Sequence, residues 1–280
     1  MDTSTSGAAR LYLDIMKKTL SYSLWPEPPV PIETMRRERN ALARLVVNGS
    51  ASLLRRAGLQ LVGMEPHSDQ DREEGRYWPR YAHTMIGMKR LDNIQSSAES
   101  VIREEILGDF IETGVWRGGA CIFMRAILAA YGIRDRRVFV ADSFQGLPPP
   151  DEDRYPADKG YRFHTMQALA VSRESVENHF RQYGLLDDRV VFLQGWFKDT
   201  LPAAPIEKLA LMRLDGDMYQ STMEGLIHLY PKLSAGGYCI VDDYALPACR
   251  QAVEDFRSRH KIACPIQQID WTGACWRKDL

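Results

Sequence analysis

The chain has 280 residues, 45% of them hydrophobic and 26% charged, which supplies one large core or one domain with an extension. Its formal charge of −1 gives no global field toward nucleic acid or an anionic membrane. The five cysteines (Cys121, Cys239, Cys249, Cys264, Cys275) form no C-x-x-C pair, so reduced thiols and a cytoplasmic setting are expected. The opening MDTSTSGAARLYLDIMKKTL has no uninterrupted apolar stretch, which argues against a secretory signal. No apolar run approaches the roughly 20 residues of a membrane span.

Residues 1–9 are small and polar and read as disordered. Leu11 to Leu20 carries helical spacing, and WPEPPVP at 25–31 reads as an extended connector. Two or three short helices are expected between Ile32 and Leu61. The stretch 64–81 shows no clear period. Helical spacing returns over Thr84–Ile106, with Asp92 a plausible N-cap for Asn93–Ile106. From Asp109 the pattern becomes strand–helix alternation, with strands at 109–114, 137–142, 190–194, 209–214 and one ending at 241–243. Helices are expected near 118–131, 173–183, 219–232 and 247–260. Two short strands at 266–269 and 274–277 read as a closing antiparallel hairpin. Repeated βα units call for a mostly parallel sheet covered on both faces. The chain thus divides into an N-terminal helical extension, 1–106, and an α/β domain, 107–280. The insertion 145–171 exceeds what a connector needs and reads as a lid.

The stretch DFIETGVWRGGA, Asp109–Ala120, is a strand followed by an acid and a glycine turn into a helix. Open α/β sheets build ligand pockets at such turns. A phosphate cradle would want G-x-G-x-x-G or a basic residue. Glu112 instead repels pyrophosphate and, with Gly114, suits a ligand with a positive end, such as the ammonium of S-adenosylmethionine. A turn whose glycines serve packing alone is the other reading. Asp142 ends the second strand, where nucleotide folds hold a ribose diol, with Ser143 beside it; a turn cap is its alternative. Gln194, Gly195 and Trp196 follow the third strand, where an adenine would lie, unless Trp196 is core.

Six acids fall at the ends of four strands: Glu112, Asp142, Asp215, Asp217, Asp242 and Asp243. Gathered carboxylates repel each other, so something positive must sit among them. Asp215 lies one βα unit before Asp242 and Asp243. Three hard oxygen ligands favour Mg²⁺, with Ca²⁺ or Mn²⁺ open, over Zn²⁺; capping roles are the alternative. Asp217, off the metal, can act as general base on a hydroxyl, or simply cap the helix near Tyr219. His164 and His179 receive no role. Trp271 and Trp276 read as core.

The motifs ETGVWRGGA, ADSFQGLP, GWFKDTLP, RLDGDMYQST and GGYCIVDDY together resemble the macrocin O-methyltransferase family, and LYLDIMKKTL and IDWTGACWRK match as well. The resemblance covers residues 11–278. It implies a class I S-adenosylmethionine-dependent methyltransferase fold, an α/β architecture whose seven-stranded sheet ends in an antiparallel strand. It also implies cofactor contacts at Glu112, Gly114, Asp142, Ser143, Gln194, Gly195 and Asp215, a divalent ion, usually Mg²⁺, on Asp215, Asp242 and Asp243, and Asp217 as base. Within the family the chain looks closest to enzymes that methylate the noviose 4-hydroxyl of aminocoumarins. The expected partner is then a glycosylated small molecule, with a homodimer formed through the N-terminal helices and no nucleic acid or membrane contact. An NAD(P)-type oxidoreductase and a non-catalytic binding protein are the competing readings. The missing G-x-G-x-x-G speaks against the first, and the retained acids against the second.

Overall fold

The computed structural model describes residues 7–32, 41–64 and 67–279. Helix α1 (Gly7–Leu20) places Leu13, Met16 and Leu20 on one buried stripe, as spacings of three and four dictate. Its first residues, Gly7–Ala9, are helical, so the disorder expected over 1–9 does not extend to them; residues 1–6 lie outside the described part. The proline-rich connector ends in a short strand, β1 (Val30–Pro31), which pairs antiparallel with β2 (Val62–Gly63). Between them runs one helix, α2 (Ala41–Arg56), where several were expected; the remainder of that expectation falls on residues 33–40, outside the described part. A single turn, α3 (Asp69–Glu73), follows with a complete Ser68–Asp71 capping box.

Helix α4 (Met88–Arg103) begins earlier than its sequence suggests, at Gly87. Asp92 is not its N-cap. It sits inside the helix and pairs at 2.5 Å with Lys17 of α1. Leu91, Ile94, Ala98 and Val101 of α4 share one core with α1 and with α5 (Gly119–Ala130). Helix α4 therefore packs onto a face of the sheet beside α5, and α1 lies against both.

That sheet has seven strands among the described residues: β3 (Asp109–Thr113), β4 (Val138–Asp142), β5 (Val190–Gln194), β6 (Leu209–Leu214), β7 (Leu233–Val241), β8 (Gln267–Gln268) and β9 (Ala274–Arg277). Their order is β5-β4-β3-β6-β7-β9-β8. All neighbours run parallel except the β7–β9 and β8–β9 pairs. β3 and β6 are buried along their whole length, as apolar runs at the centre of a covered parallel sheet should be. Helices α4, α5 and α6 (Arg173–Gln182) cover one face. On the other, α8 (Tyr219–Leu229) and α9 (Pro247–Arg259) pack Leu226, Val253 and Phe256 against Met212 and Trp276. A short helix, α7 (Phe197–Thr200), follows β5. No described helix is long and apolar enough to cross a membrane. All five cysteines are free and buried.

Order reverses between β3 and β6, the switch point at which open α/β sheets bind ligands. The register aligns Thr113 with Leu214 and Leu214 with Val241. One further step along each chain brings Gly114, Asp215 and Asp242 into a row, and the amides of Asp215 and Asp242 continue the ladder to Thr113 and Leu214.

Candidate active site

A cavity of about 550 Å³ opens over this row. Its walls include Glu112, Gly114, Asp142, Ser143, Gly195, Trp196 and the four aspartates 215, 217, 242 and 243. Gln194 is the exception among the expected residues: it is exposed and lies outside the lining. The insertion contributes Leu147, Pro148, Phe163 and Met166, and the N-terminal segment contributes Trp78, Met85 and Arg90. Trp276 is core, as expected, but Trp271 is not. It is 44% exposed, lines the cavity, and donates its indole N–H to the Glu74 carbonyl at 2.7 Å. An indole in a short hairpin turn has no sheet to bury it, and the chain beside α3 supplies its polar partner instead.

The glycine turn is shaped by close approach. Gly114 has φ +83°, and a Cβ there would lie 1.7 Å from the Asp215 carbonyl oxygen. Asp142 holds the turn from below, its two oxygens accepting the Val115 amide at 2.8 Å and the Phe144 amide at 2.7 Å. Ser143 Oγ donates to the Gly146 carbonyl at 2.6 Å, which fixes the entry to the insertion. Two non-glycine residues lining the cavity, Trp116 and Asp217, hold left-handed φ values of +47° and +59°, and so does the core residue Phe144 beside Ser143, at +58°. Such strain gathers where the surrounding structure enforces it, often at functional sites.

The positive charge that the acids require is present in two buried arginines that the sequence reading missed. Arg213, the fifth residue of β6, donates Nη1 to Glu112 and, at 2.7 Å, to Asp215, while its Nη2 pairs with Asp242. Arg90 of α4 pairs through Nη1 with the other oxygen of Asp242 and through Nε, at 2.9 Å, with Asp270. Asp270 also accepts the amides of Thr272 and Gly273, and Thr272 Oγ1 donates to the Asp242 carbonyl. Helix α4 and the closing hairpin thus meet around Asp242 and Asp270. The clue in the sequence is an arginine inside the apolar run LALMRL.

Two guanidiniums do not balance the cluster. Burial pushes Asp217 up to about 8, helped by Asp215 and Asp242. Burial with Asp242 nearby raises Asp215 to about 6, and burial raises Glu112 to about 7 against the pull of Arg213. Asp243 is driven far above the usual carboxylate range by burial and by the Asp217 and Asp215 charges. Asp242 alone goes down: burial opposes its charge, but Arg213 and Arg90 outweigh it. Glu112 also accepts the Cys121 thiol at 2.9 Å, and burial raises that thiol well above its ordinary value.

Asp215, Asp242 and Asp243 each offer a carboxylate oxygen within 4.8 Å of the others. Two metal–oxygen bonds of about 2.0–2.6 Å each span such a gap, and all-oxygen donors suit Mg²⁺ or Ca²⁺. Both oxygens of Asp242 already accept a guanidinium proton, yet each keeps a second lone pair. The donor set and its unbalanced charge therefore fit a divalent cation. Asp217 offers no oxygen to that set. Its amide donates to Asp243 at 3.0 Å, and the residue lines the cavity.

His179 stacks on His83 at 4.3 Å and meets the Arg117 carbonyl through Nδ1 at 2.9 Å, away from the cavity lining.

Residues 9–278 match the family model described as macrocin-O-methyltransferase. A Streptomyces olivaceus protein named 8-demethyl-8-(2,3-dimethoxy-alpha-L-rhamnosyl)-tetracenomycin-C 4′-O-methyltransferase is 47% identical, covering 98% of this chain and 94% of its own. The demethyldecarbamoylnovobiocin O-methyltransferase of Streptomyces niveus is 45% identical over 98% of this chain and 95% of its own. Among solved structures, the O-methyltransferase NovP superposes with a TM-score of 0.82 at 45% identity, covering 97% of this chain and all of that one.

Proposed function

We propose, from the premise that this chain belongs to the macrocin-O-methyltransferase family and is an O-methyltransferase with the class I S-adenosylmethionine-dependent fold, that it methylates a deoxysugar hydroxyl on a glycosylated antibiotic intermediate. The observation that carries this reading is the convergence of Asp215, Asp217, Asp242 and Asp243 on one cavity beside the glycine turn. A cavity with that acid set suits a neutral, hydroxyl-rich acceptor and a cationic methyl donor. The tetracenomycin and novobiocin relatives, of nearly equal identity, support the sugar class together. The noviose 4-hydroxyl is the favoured acceptor, and a macrolide sugar is the second arm.

S-adenosylmethionine is the donor in this reading. Glu112 and Gly114 serve its amino-acid end, Asp142 and Ser143 its ribose, and Gly195 with Trp196 its base. Glu112 acts here through Arg213, which it neutralises, so that the donor's positive charge meets a net negative wall. The sulfonium sulfur keeps the electron pair of the breaking bond and leaves neutral, so the difficult partner is the weakly acidic sugar hydroxyl. Asp217 takes its proton; a carboxylate held off the cation and raised toward neutrality is matched to that task. Asp215, Asp242 and Asp243 would hold Mg²⁺, which supplies polarisation of the acceptor hydroxyls and lowers their pKa. Arg213 and Arg90 keep Asp242 ionised for that purpose.

Leu11 and Ile15 of α1 and Leu45 and Leu53 of α2 are exposed, and an apolar surface of this kind supports a homodimer. A monomer mass by light scattering would reject that assembly. The catalytic reading is tested by transfer of a labelled methyl group to noviose-, rhamnose- and macrolide-bearing precursors, with and without EDTA. Transfer to at least one glycoside, abolished by EDTA and restored by Mg²⁺, is expected. An EDTA-insensitive rate removes the metal, and no transfer to any glycoside removes the acceptor class.

A further inference from the structure

The insertion carries a carboxylate that the reaction does not use. Asp158, in the 3-10 turn Pro156–Asp158, is fully buried. One of its oxygens accepts the amide of Tyr219 at 2.6 Å and the other the amide of Gln220 at 3.0 Å. These are the first two amides of α8, which begins two residues after Asp217. The residue at the cap position, Met218, has a side chain that can accept nothing there, and no local side chain caps the helix. The cap is supplied instead from 61 residues upstream, and a carboxylate also suits the positive end of a helix.

We propose that Asp158 is a positioning residue for Asp217, a clamp by which the insertion holds the loop 215–217 in its working geometry. Asp217 sits at φ +59°, in the left-handed region that costs any residue with a Cβ though aspartate less than most, and its own amide is tied to Asp243 on the upstream side. On the downstream side the chain passes through Met218 directly into the two amides that Asp158 holds. Without that carboxylate, two half-buried N–H groups lose their partners and the first turn of α8 loosens. The Asp217 carboxylate would then shift relative to the acceptor hydroxyl. The far end of the insertion is pinned separately, by the Trp116 indole donating to the Ala168 carbonyl at 2.8 Å. One insertion therefore touches both the cofactor turn and the helix start that follows the loop of the base, and a closed insertion and an aligned base become one state.

This inference rests on the reading of Asp217 as base. Full-length Asp158→Ala, Asp158→Asn and Asp217→Asn proteins are compared for S-adenosylhomocysteine affinity by calorimetry, and for kcat and KM with the best acceptor. Limited proteolysis across 151–160 is followed in parallel. Asp158→Ala should lose about 10- to 100-fold in kcat, the cost of a misplacement on the order of 1 Å. Its affinity for S-adenosylhomocysteine should stay within about twofold, because the cofactor turn is pinned elsewhere. Cleavage within 151–160 should quicken. Asp158→Asn keeps one acceptor oxygen and should lose only several-fold in kcat with cofactor affinity intact, a split that a general fall in stability would not produce. Wild-type kcat in Asp158→Ala, with Asp217→Asn inactive, overturns the clamp alone. Turnover retained in Asp217→Asn overturns the base and the clamp with it. Should Asp158→Ala not fold, Asp158→Asn decides: a kcat reduced several-fold with intact cofactor affinity supports the clamp, and an unchanged kcat overturns it.

Discussion

At the scale of single residues, two side chains divide the chemistry from the architecture that permits it. Asp217 lines the cavity with no salt bridge among the described residues, and burial next to Asp215 and Asp242 raises it to about 8. Asp217→Asn keeps the volume and removes the base. Its turnover should fall by about 10²–10⁴-fold, the usual weight of a general base. Calorimetry should show near-normal S-adenosylhomocysteine binding, and added Mg²⁺ should restore nothing. Arg213 is the opposite case. It touches three acids from the ends of three neighbouring strands and is itself fully buried. Arg213→Leu strands Glu112 and Asp215 without a cation and leaves Asp242 with Arg90 alone. Breaking a buried ionic cluster from one side costs about 3–5 kcal/mol, so urea denaturation should show a loss of that order. A variant as stable as wild type would mean that the acids simply take up protons at little cost.

At the scale of elements, the sharpest constraint is the crossing of the β3 turn over the end of β6. Gly114→Ala would put a Cβ into the Asp215 carbonyl at a φ that alanine seldom adopts. Neither chain can yield, since both ends belong to the buried centre of the sheet. The variant should lose both stability and cofactor affinity. A normal melting temperature with normal S-adenosylhomocysteine binding would show that the crossing is looser than it looks. The strands are also the most legible elements in the sequence. β5 and β6 agree with expectation to the residue, because turn residues bound each apolar run, although only β6 is buried throughout and β5 lies half-buried at the sheet edge. The acids at the strand ends follow from the same grammar. Legibility fails where a distant partner decides. Asp92 has the chemistry of a cap, but Lys17 claims it from α1, and the helix starts at Gly87 instead. Trp271 has the composition of core, but its turn leaves it at the cavity rim. Arg213 and Arg90 come from β6 and from α4 of the N-terminal extension, and only the assembled sheet brings them to one carboxylate. Asp158 caps a helix 61 residues away, which no local spacing rule can reveal.

At the scale of the whole molecule, the acid cluster makes stability depend on pH in a direction that a bound cation should reverse. Carboxyls titrate near pH 4 in the unfolded chain, roughly where model peptides do. In the folded protein without a cation, burial raises Asp215 to about 6, Glu112 to about 7 and Asp217 to about 8. Between those limits the folded state holds more protons than the unfolded one, so stability falls as pH rises. The contribution of these groups is fully present below pH ~4 and lost as pH climbs through 6, 7 and 8. Two groups have the opposite sign. Arg213 and Arg90 overcome burial to hold Asp242 below its ordinary value, and burial beside His179 lowers His83 to about 4. Their contribution is present near neutrality and lost in acid. Without a divalent ion, stability should therefore decline on the alkaline side of neutrality as well as in acid. Mg²⁺ binds only the ionised cluster, so the melting-temperature gain it confers should be small near pH 6 and grow toward pH 8.5. Asp243→Asn, which removes a ligand and a repelling charge together, should flatten the alkaline decline and abolish the gain. Thermal melts at the two pH values, with EDTA or millimolar Mg²⁺, measure both effects. A gain of equal size at pH 6 and pH 8.5, or one that survives in Asp243→Asn, would show that the cation binds away from Asp215, Asp242 and Asp243.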